Sequence, residues 1–321
     1  MKKIVLYNPA LSSLNMGDEI IFESAFRELQ ELFPESFFVQ LSTHLPVSNI
    51  YMRNLKDADN KFVCGTNLLS AKMNARFRQW DITWLTMQGI GPAVLIGVGA
   101  WQYQRKPNFY TKILYKNVLS HELIHSVRDS YTEAKVREMG FDNVLNTGCP
   151  TMWKLTSEHC CDITQNKSRN VVCTLTDYMP DVENDSKMLN ILYENYEKVY
   201  LWLQGYNDYS YLKSLPIKHN PILISPTLEA YDKILCANED VDFVGTRLHA
   251  GIRALQKKRR SIIIGVDNRA MEKHKDFNLN VLERNKLDEL EILINSKYKT
   301  SIRLPIDAIN KWKSQFMVRR E

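Results

Sequence analysis

Short apolar runs separated by amphipathic segments recur along the chain. The first, KIVLYNP, is followed by a polar loop, SSLNMGD, and then by Phe22, Ala25, Phe26, Leu29, Leu32 and Phe33 at helical spacing. That pattern predicts a strand, a loop and a helix buried on one face. Further runs, FFVQL, KFVCG, AVLIGVGA, HSVRD and NVLNTG, alternate with helical or loop segments, which predicts a parallel sheet covered by helices. Around residues 156–169 the periodicity gives way to the polar stretch TSEHCCDITQNKSR, read as a crossing between two lobes, residues 1–160 and 161–321. A second series of strand candidates follows, VVCTLTD, VYLWLQG, PILIS, DFVGT and SIIIGVD, separated by helices such as SKMLNILYENYEK and LHAGIRALQKK. The second lobe is thus expected to be another parallel α/β sheet. The final segment, IDAINKWKSQFMVRRE, sets Ile309, Trp312 and Phe316 along one helical face, and packing against a core is preferred to a membrane-surface role.

Composition narrows the class. With 321 residues, 44% hydrophobic and 25% charged, the chain suits an ordinary globular protein of two domains. No apolar run approaches the roughly 18 to 20 residues that span a bilayer, and MKKIVLYNPALSS lacks the features of a signal peptide, so a cytoplasmic location is expected. The net charge of +5 suits an anionic substrate, and no nucleic-acid-reading motif accompanies it. Six cysteines without C-x-x-C spacing suggest neither a metal site nor a disulfide framework.

Open parallel sheets bind ligands beyond the carboxyl ends of their strands, where helices begin with unpaired amides. Four strand ends carry candidate chemistry. In DFVGTRLHAGIRAL, a strand ending at Gly245 leads through Thr246, Arg247 and His249 into a helix. If the backbone there is extended, Arg247 and His249 share a face while Leu248 points into the fold. Arg247 can grip a carboxylate or phosphate, and His249 can move a proton near neutral pH; equally, Arg247 can pair with a carboxylate and His249 can cap a turn. In HSVRDSYTEAKVREMG, Ser130 to Glu133 form a capping-box pattern, while Arg128 is either a second ligand cation or a partner of Asp129. In SSLNMGDEII, Asn15 and Gly17 allow close backbone approach, and Asp18 either caps the helix or takes a proton. In GVGAWQYQRK, Gly97 and Gly99 resemble a weak phosphate or sugar loop, and in VDNRAMEKHK most charges are expected on a solvated surface, with Arg269 the ligand candidate.

Taken in order, N-x-G-D-E before a long helix, S-V-R-D before an acidic helix start, and G-T-R-L-H-A-x-I-x-A-L before a short strand ending near an Asp resemble the polysaccharide pyruvyltransferase family, from Asn15 to about Asp276. Gly97-Val98-Gly99 replaces a longer glycine run, and Gly148-Cys149-Pro150 stands where Asp-Pro is frequent. The resemblance implies two Rossmann-like lobes facing a cleft, as in GT-B glycosyltransferases, with the terminal helix packing back on the first lobe. It implies transfer of pyruvate from phosphoenolpyruvate onto two hydroxyls of a sugar, free of any cofactor, in a surface glycan or its lipid-linked precursor. His249 is then the catalytic acid and Asp18 a candidate base. Arg128, Arg247, Leu248, Arg269, Gly97 and Gly99 fall on the donor side, and Asn15 and Gly17 on the acceptor side of the first lobe. The alternatives are a glycosyltransferase using a nucleotide sugar and a non-catalytic glycan-binding subunit. A lipid-linked acceptor would bring peripheral membrane contact through Lys257, Lys258, Arg259, Arg260 or the terminal helix, though a solvated helix end is the preferred reading of that cluster. The oligomeric state is left open.

Overall fold

The computed structural model describes residues 1–48, 51, 53, 55–76, 78–237 and 240–317. The last four residues of the expected terminal helix, 318–321, lie outside them. The chain forms two compact units, one of Met1–Ser13, Ile21–Trp153 and Leu304–Glu321, the other of Leu14–Ile20 and Lys154–Arg303.

In the first unit, β1 (Lys2–Asn8) lies between β2 (Ser36–Ser42) and β3 (Asn60–Cys64), and β4 (Val94–Ile96) extends the parallel sheet in the order β2-β1-β3-β4. Alternation along the strands feeds two cores. Ile4, Leu6, Phe62, Cys64 and Ile96 face one cluster, while Val5, Tyr7, Val63 and Leu95 face another that holds Leu114, Tyr115 and Val118. Covering both faces explains why these strands read as unbroken apolar runs. The first cluster is closed by the helix Ile306–Ser314: Trp312 and Phe316 set their rings 6.2 and 5.2 Å from that of Phe62. Lys313 pairs with the buried Glu28, and the Gln315 side chain both accepts from the Ile124 amide at 2.7 Å and donates to its carbonyl at 3.1 Å. An aromatic helical face has thus drawn a segment assigned by position to the second lobe onto the first sheet.

β5 (His125–Val127) and β6 (Val144–Asn146) form a parallel pair beside β4. Side chains make part of the junction. Leu95 N–H donates to His125 Nδ1 at 3.2 Å and Gly97 N–H to Ser126 Oγ at 2.9 Å, while Arg128 N–H reaches the Val98 carbonyl at 3.1 Å. Because His125 Nδ1 accepts, its Nε2 carries the proton donated to the Ser120 carbonyl at 2.8 Å. Burial pushes the pKa of this imidazole down to about 4, which keeps it neutral.

The second unit holds β7 (Asn170–Thr174), β8 (Lys198–Trp202), β9 (Ile222–Ile224), β10 (Val241–Gly245), β11 (Ser261–Gly265) and β12 (Val281–Glu283). All pairings are parallel, and the spatial order is β12-β11-β10-β7-β8-β9. Counting these strands along the chain from β7, the order is 3-2-1-4-5-6, the doubly wound Rossmann arrangement, which reverses between β7 and β10. The fold is therefore α/β with two Rossmann-like units. β12, only three residues long, is a strand absent from the sequence reading.

The basic run 257–260 is tied into this unit rather than solvated throughout. Arg260 is fully buried against Asp242 at 2.7 Å and against three carbonyls, Arg259 binds the carbonyls of Leu235 and Ala237, and Lys257 and Lys258 pair with Asp232 and Asp162. Among the described residues, no helix is long and apolar enough to cross a membrane.

Candidate functional site at the strand reversal

The reversal between β7 and β10 is built by close approach. A Cβ on Gly245 would sit 2.4 Å from Thr174 Oγ1 and 2.6 Å from Thr174 N, so only glycine lets the two strand ends meet. Thr246 and Thr176 share a 2.8 Å hydroxyl contact, and the Thr174 hydroxyl accepts from Arg247 N–H at 3.2 Å. These bonds aim Arg247 across the reversal. Its Nε donates to the Leu175 carbonyl at 2.8 Å, and its Nη2 to Asp177 at 2.8 Å and to Asp208. Its Nη1 has no partner among the described residues. The loop after β8 completes the cage: a Cβ on Gly205 would fall 2.2 Å from Arg247 Nη2, and Gly205 N–H donates to Asp208 at 2.7 Å. Burial raises the proton affinity of the Asp208 carboxyl above the ordinary carboxylate range, against the opposing pull of Arg247.

A second guanidinium reaches the same place from β11. Asp267 caps the helix Asn268–Phe277, accepting from the Arg269 amide at 3.0 Å, and takes Arg269 Nε at 2.8 Å together with its Nη2. Nη2 also bonds the Tyr178 hydroxyl, and Nη1 again has no partner among the described residues. The guanidinium carbons of Arg247 and Arg269 stand 5.1 and 5.4 Å from the centre of the Tyr178 ring. Sequence reasoning selected both arginines but missed Asp177, Tyr178 and Asp208. The rule that found Arg247 applies to them too, since Asp177 and Tyr178 follow β7 and Asp208 follows β8. Lys273, expected on a solvated surface beside Arg269, is buried.

Three carboxylates thus hold two guanidiniums. They orient the arginines at a cost in positive potential.

Leu248 and His249 begin the helix Leu248–Gln256, with Arg247 in extended geometry as its cap, and all three are buried. The expectation that extended backbone carries Arg247 and His249 on one face does not hold, because helical geometry starts at Leu248. Both still stand at the helix start, where the macrodipole favours an anion.

Asn15, Gly17 and Asp18 belong with the second unit rather than with the first lobe. Asn15 forms an antiparallel bridge to Gly205, the Met16 amide donates to the Gln204 carbonyl at 2.9 Å, and Gln204 Nε2 donates to Asn15 Oδ1 at 2.7 Å. The same Oδ1 takes the Gly17 amide at 3.1 Å, so Asn15 supplies the turn that opens the helix Met16–Leu32. Asp18 lies inside the first helical turn, buried, rather than at its cap.

The structure keeps Arg128, Gly97 and Gly99 within the first unit. Arg128 donates through Nε to Asp129 at 2.9 Å, through Nη1 to Asn67 and through Nη2 to the Ala100 carbonyl at 3.0 Å. A Cβ on Gly99 would lie 2.0 Å from Arg128 Nε, and one on Gly97, where φ is +63°, would lie 2.1 Å from Pro150 Cδ. Both glycines are accounted for by protein neighbours, without a ligand. The cap of the helix Ser130–Glu138 is Asp129, which accepts from Thr132 N–H at 2.7 Å, one residue before the expected Ser130.

A family model described as polysaccharide pyruvyl transferase matches residues 15–268. No curated protein matches the chain. Among solved structures, the apo form of the lipopolysaccharide outer core galactosyltransferase WaaB is similar at 10% identity and a TM-score of 0.48, covering 99% of this chain and 96% of that one. A UDP-GlcNAc 2-epimerase from Neisseria meningitidis bound to UDP-GlcNAc is similar at 12% identity and a TM-score of 0.48, covering 98% of each chain. The Escherichia coli heptosyltransferase WaaC with ADP-2-deoxy-2-fluoro heptose follows at 12% identity and a TM-score of 0.43, over 91% of this chain and 98% of that one.

Proposed function

The chain belongs to the polysaccharide pyruvyl transferase family, and from that premise we propose that it moves the pyruvyl group of phosphoenolpyruvate onto two hydroxyls of a sugar, closing a cyclic ketal and releasing phosphate. The observation that carries this reading is the pair Arg247 and Arg269, each with an uncommitted Nη1, beside a helix start at the strand reversal of the second unit. A carboxylate and a phosphate on one small molecule call for two such donors and for the unpaired amides of a helix.

In this mechanism His249 gives a proton to the vinyl carbon, which becomes the methyl group, and the neighbouring carbon takes on positive charge. One sugar hydroxyl attacks that carbon and yields its proton to a base, for which Asp18 is the candidate. The C–O bond to phosphate then breaks, the second hydroxyl closes the ketal, and its proton leaves with the phosphate. The proton taken from the first hydroxyl restores His249, so the cycle is neutral overall. Asn15 and Gly17 are assigned to the acceptor, carried by a glycan or a lipid-linked oligosaccharide and met at the cytoplasmic face of the membrane. Arg128, engaged at all three nitrogens, is left out of donor binding.

Incubation with phosphoenolpyruvate and galactose-, mannose- and glucosamine-type acceptors tests the reading by mass spectrometry. The expected product gains one pyruvate less one water, with one phosphate released. A protein that is stabilised against heat by a nucleoside diphosphate but not by phosphoenolpyruvate, and that forms no such product, is instead a glycosyltransferase using a nucleotide sugar.

A further inference from the structure

Tyr178 occupies an unusual position for an aromatic residue: it lies in the turn after β7, is 47% exposed, and carries a guanidinium near its ring from each of two different strand ends. An exposed tyrosine alone carries no meaning. Two buried or half-buried arginines converging on one ring do, because like charges repel even where each is also paired with carboxylates. The attraction of each guanidinium for the ring face offsets part of that repulsion. The ring also fixes direction. Arg247 is tethered through Nε and Nη2 by Leu175, Asp177 and Asp208, Arg269 through Nε and Nη2 by Asp267, and the Tyr178 hydroxyl bonds Arg269 directly. The shared ring adds to these tethers a contact common to both side chains.

We propose that Tyr178 is a positioning residue that holds Arg247 and Arg269 against one another so that their Nη1 atoms serve a single ligand bearing two anionic groups. This inference rests on the donor assignment above, and it names the residue that makes two separate cations into one binding site. Tyr178 does not touch the reacting atoms; it acts through the arginines, and chiefly on binding.

The test compares wild-type protein with Tyr178→Phe, Tyr178→Leu, Arg269→Ala and the double variant Tyr178→Leu/Arg269→Ala. Binding of phosphoenolpyruvate and of inorganic phosphate is measured by calorimetry, and steady-state kinetics are measured with each variant whose thermal transition matches wild type. Tyr178→Leu is expected to weaken phosphoenolpyruvate binding about tenfold and to raise its KM by a similar factor, with a smaller change in kcat. Tyr178→Phe keeps the ring and is expected to restore most of the affinity. The double variant is expected to lose less than the two single losses combined, since the part of the Tyr178 effect that passes through Arg269 is gone with that partner. Unchanged affinity in Tyr178→Leu, an equal loss in Tyr178→Phe, or additive losses in the double variant overturns the proposal. If Tyr178→Leu lowers the thermal transition, the Phe comparison and the phosphate titrations decide alone. Wild-type protein that binds phosphate but not phosphoenolpyruvate overturns the donor assignment, and Tyr178 is then judged by the same variants on phosphate; wild type that binds neither overturns both.

Discussion

Arg128 and Arg247 look alike in sequence and in burial. Each follows a short strand in its own parallel sheet, each is 3% exposed, and each has a glycine whose missing Cβ makes room for the guanidinium, Gly99 in one case and Gly205 in the other. The difference is in how the nitrogens are spent. Arg128 commits Nε, Nη1 and Nη2 to Asp129, Asn67 and Ala100. Among the described residues, Arg247 commits Nε and Nη2 alone. The first arginine is a latch between strand end and loop; the second is held at two corners, its third without a partner among the described residues. A motif that places an arginine after a strand says nothing about this division, which depends on partners far away in the chain.

The largest effects are expected at the two arginines and at His249. Arg247→Ala leaves the buried Asp208 without its counter-charge and is expected to cost about 3–5 kcal/mol of stability. Arg128→Ala strands Asp129 in the same way and is expected to fall in the same range of about 3–5 kcal/mol. Phosphoenolpyruvate affinity separates them: lost in Arg247→Ala, retained by the folded fraction of Arg128→Ala. His249→Ala is expected to lower kcat by about 10²–10⁴-fold with little change in donor affinity. Calorimetric titration and denaturant unfolding of the three variants give both quantities, and equal loss of affinity in both arginine variants would erase the distinction between latch and holder.

The second test concerns the sheets that carry the two arginines. β10 and β7 are joined by backbone pairing, whereas the junction of β4 with β5 includes a neutral imidazole that accepts from Leu95. The folded pKa of His125, near 4, lies below its unfolded value of about 6.5. The unfolded chain therefore binds the extra proton first as the medium turns acid. Stability from this group is complete above about pH 6.5, declines as pH falls through the window, and is gone below about pH 4, a loss of about 3 kcal/mol. Urea unfolding between pH 7 and 4 should show that slope, and His125→Asn, which removes the titration, should flatten it. A slope unchanged in the variant assigns the acid sensitivity elsewhere.

How far such contrasts could be read from sequence depends on their range along the chain. The first sheet's strands and five of the second's announced themselves as apolar runs, and in β1, β3 and β4 burial on both faces leaves little polar alternation to confuse. β12 did not, its three residues, Val281 to Glu283, making no apolar run. Arg247, Arg269 and His249 were legible through the rule that ligands gather after strands. Asp177, Tyr178 and Asp208 obey the same rule but lack a charge-rich motif to draw notice. The grouping of Leu14–Ile20 with the second unit was illegible, since it rests on a bridge between Asn15 and Gly205 with no local signal at either end.

The two glycines offer a smaller perturbation. Gly205→Ala and Gly99→Ala each push a methyl group into a guanidinium, and overpacking of this kind is expected to cost about 1–3 kcal/mol. Gly205→Ala should also displace Arg247 Nη2 and raise the KM for phosphoenolpyruvate, whereas Gly99→Ala should leave that KM near wild type. Kinetics on both variants at a temperature well below their thermal transitions separates displacement from unfolding; the reverse order of KM effects would reassign the donor site to the first unit.

The smallest effect is expected at Asn15, and it bears on which side of the comparison the segment 14–20 serves. Its Oδ1 accepts from both Gly17 N–H and Gln204 Nε2, one bond opening a helix and the other tying that helix start to the loop that cages Arg247. Asn15→Ala should lose about 1 kcal/mol, the usual worth of a helix-opening side chain. Asn15→Ser restores the opening bond but is too short to hold Gln204 as well, so its stability should return close to wild type. If the residue serves the acceptor, the acceptor KM stays raised in both variants while the phosphoenolpyruvate KM does not move. An acceptor KM that recovers in Asn15→Ser along with stability would confine Asn15 to the helix start, and the acceptor would then have to be sought on other residues of the second unit.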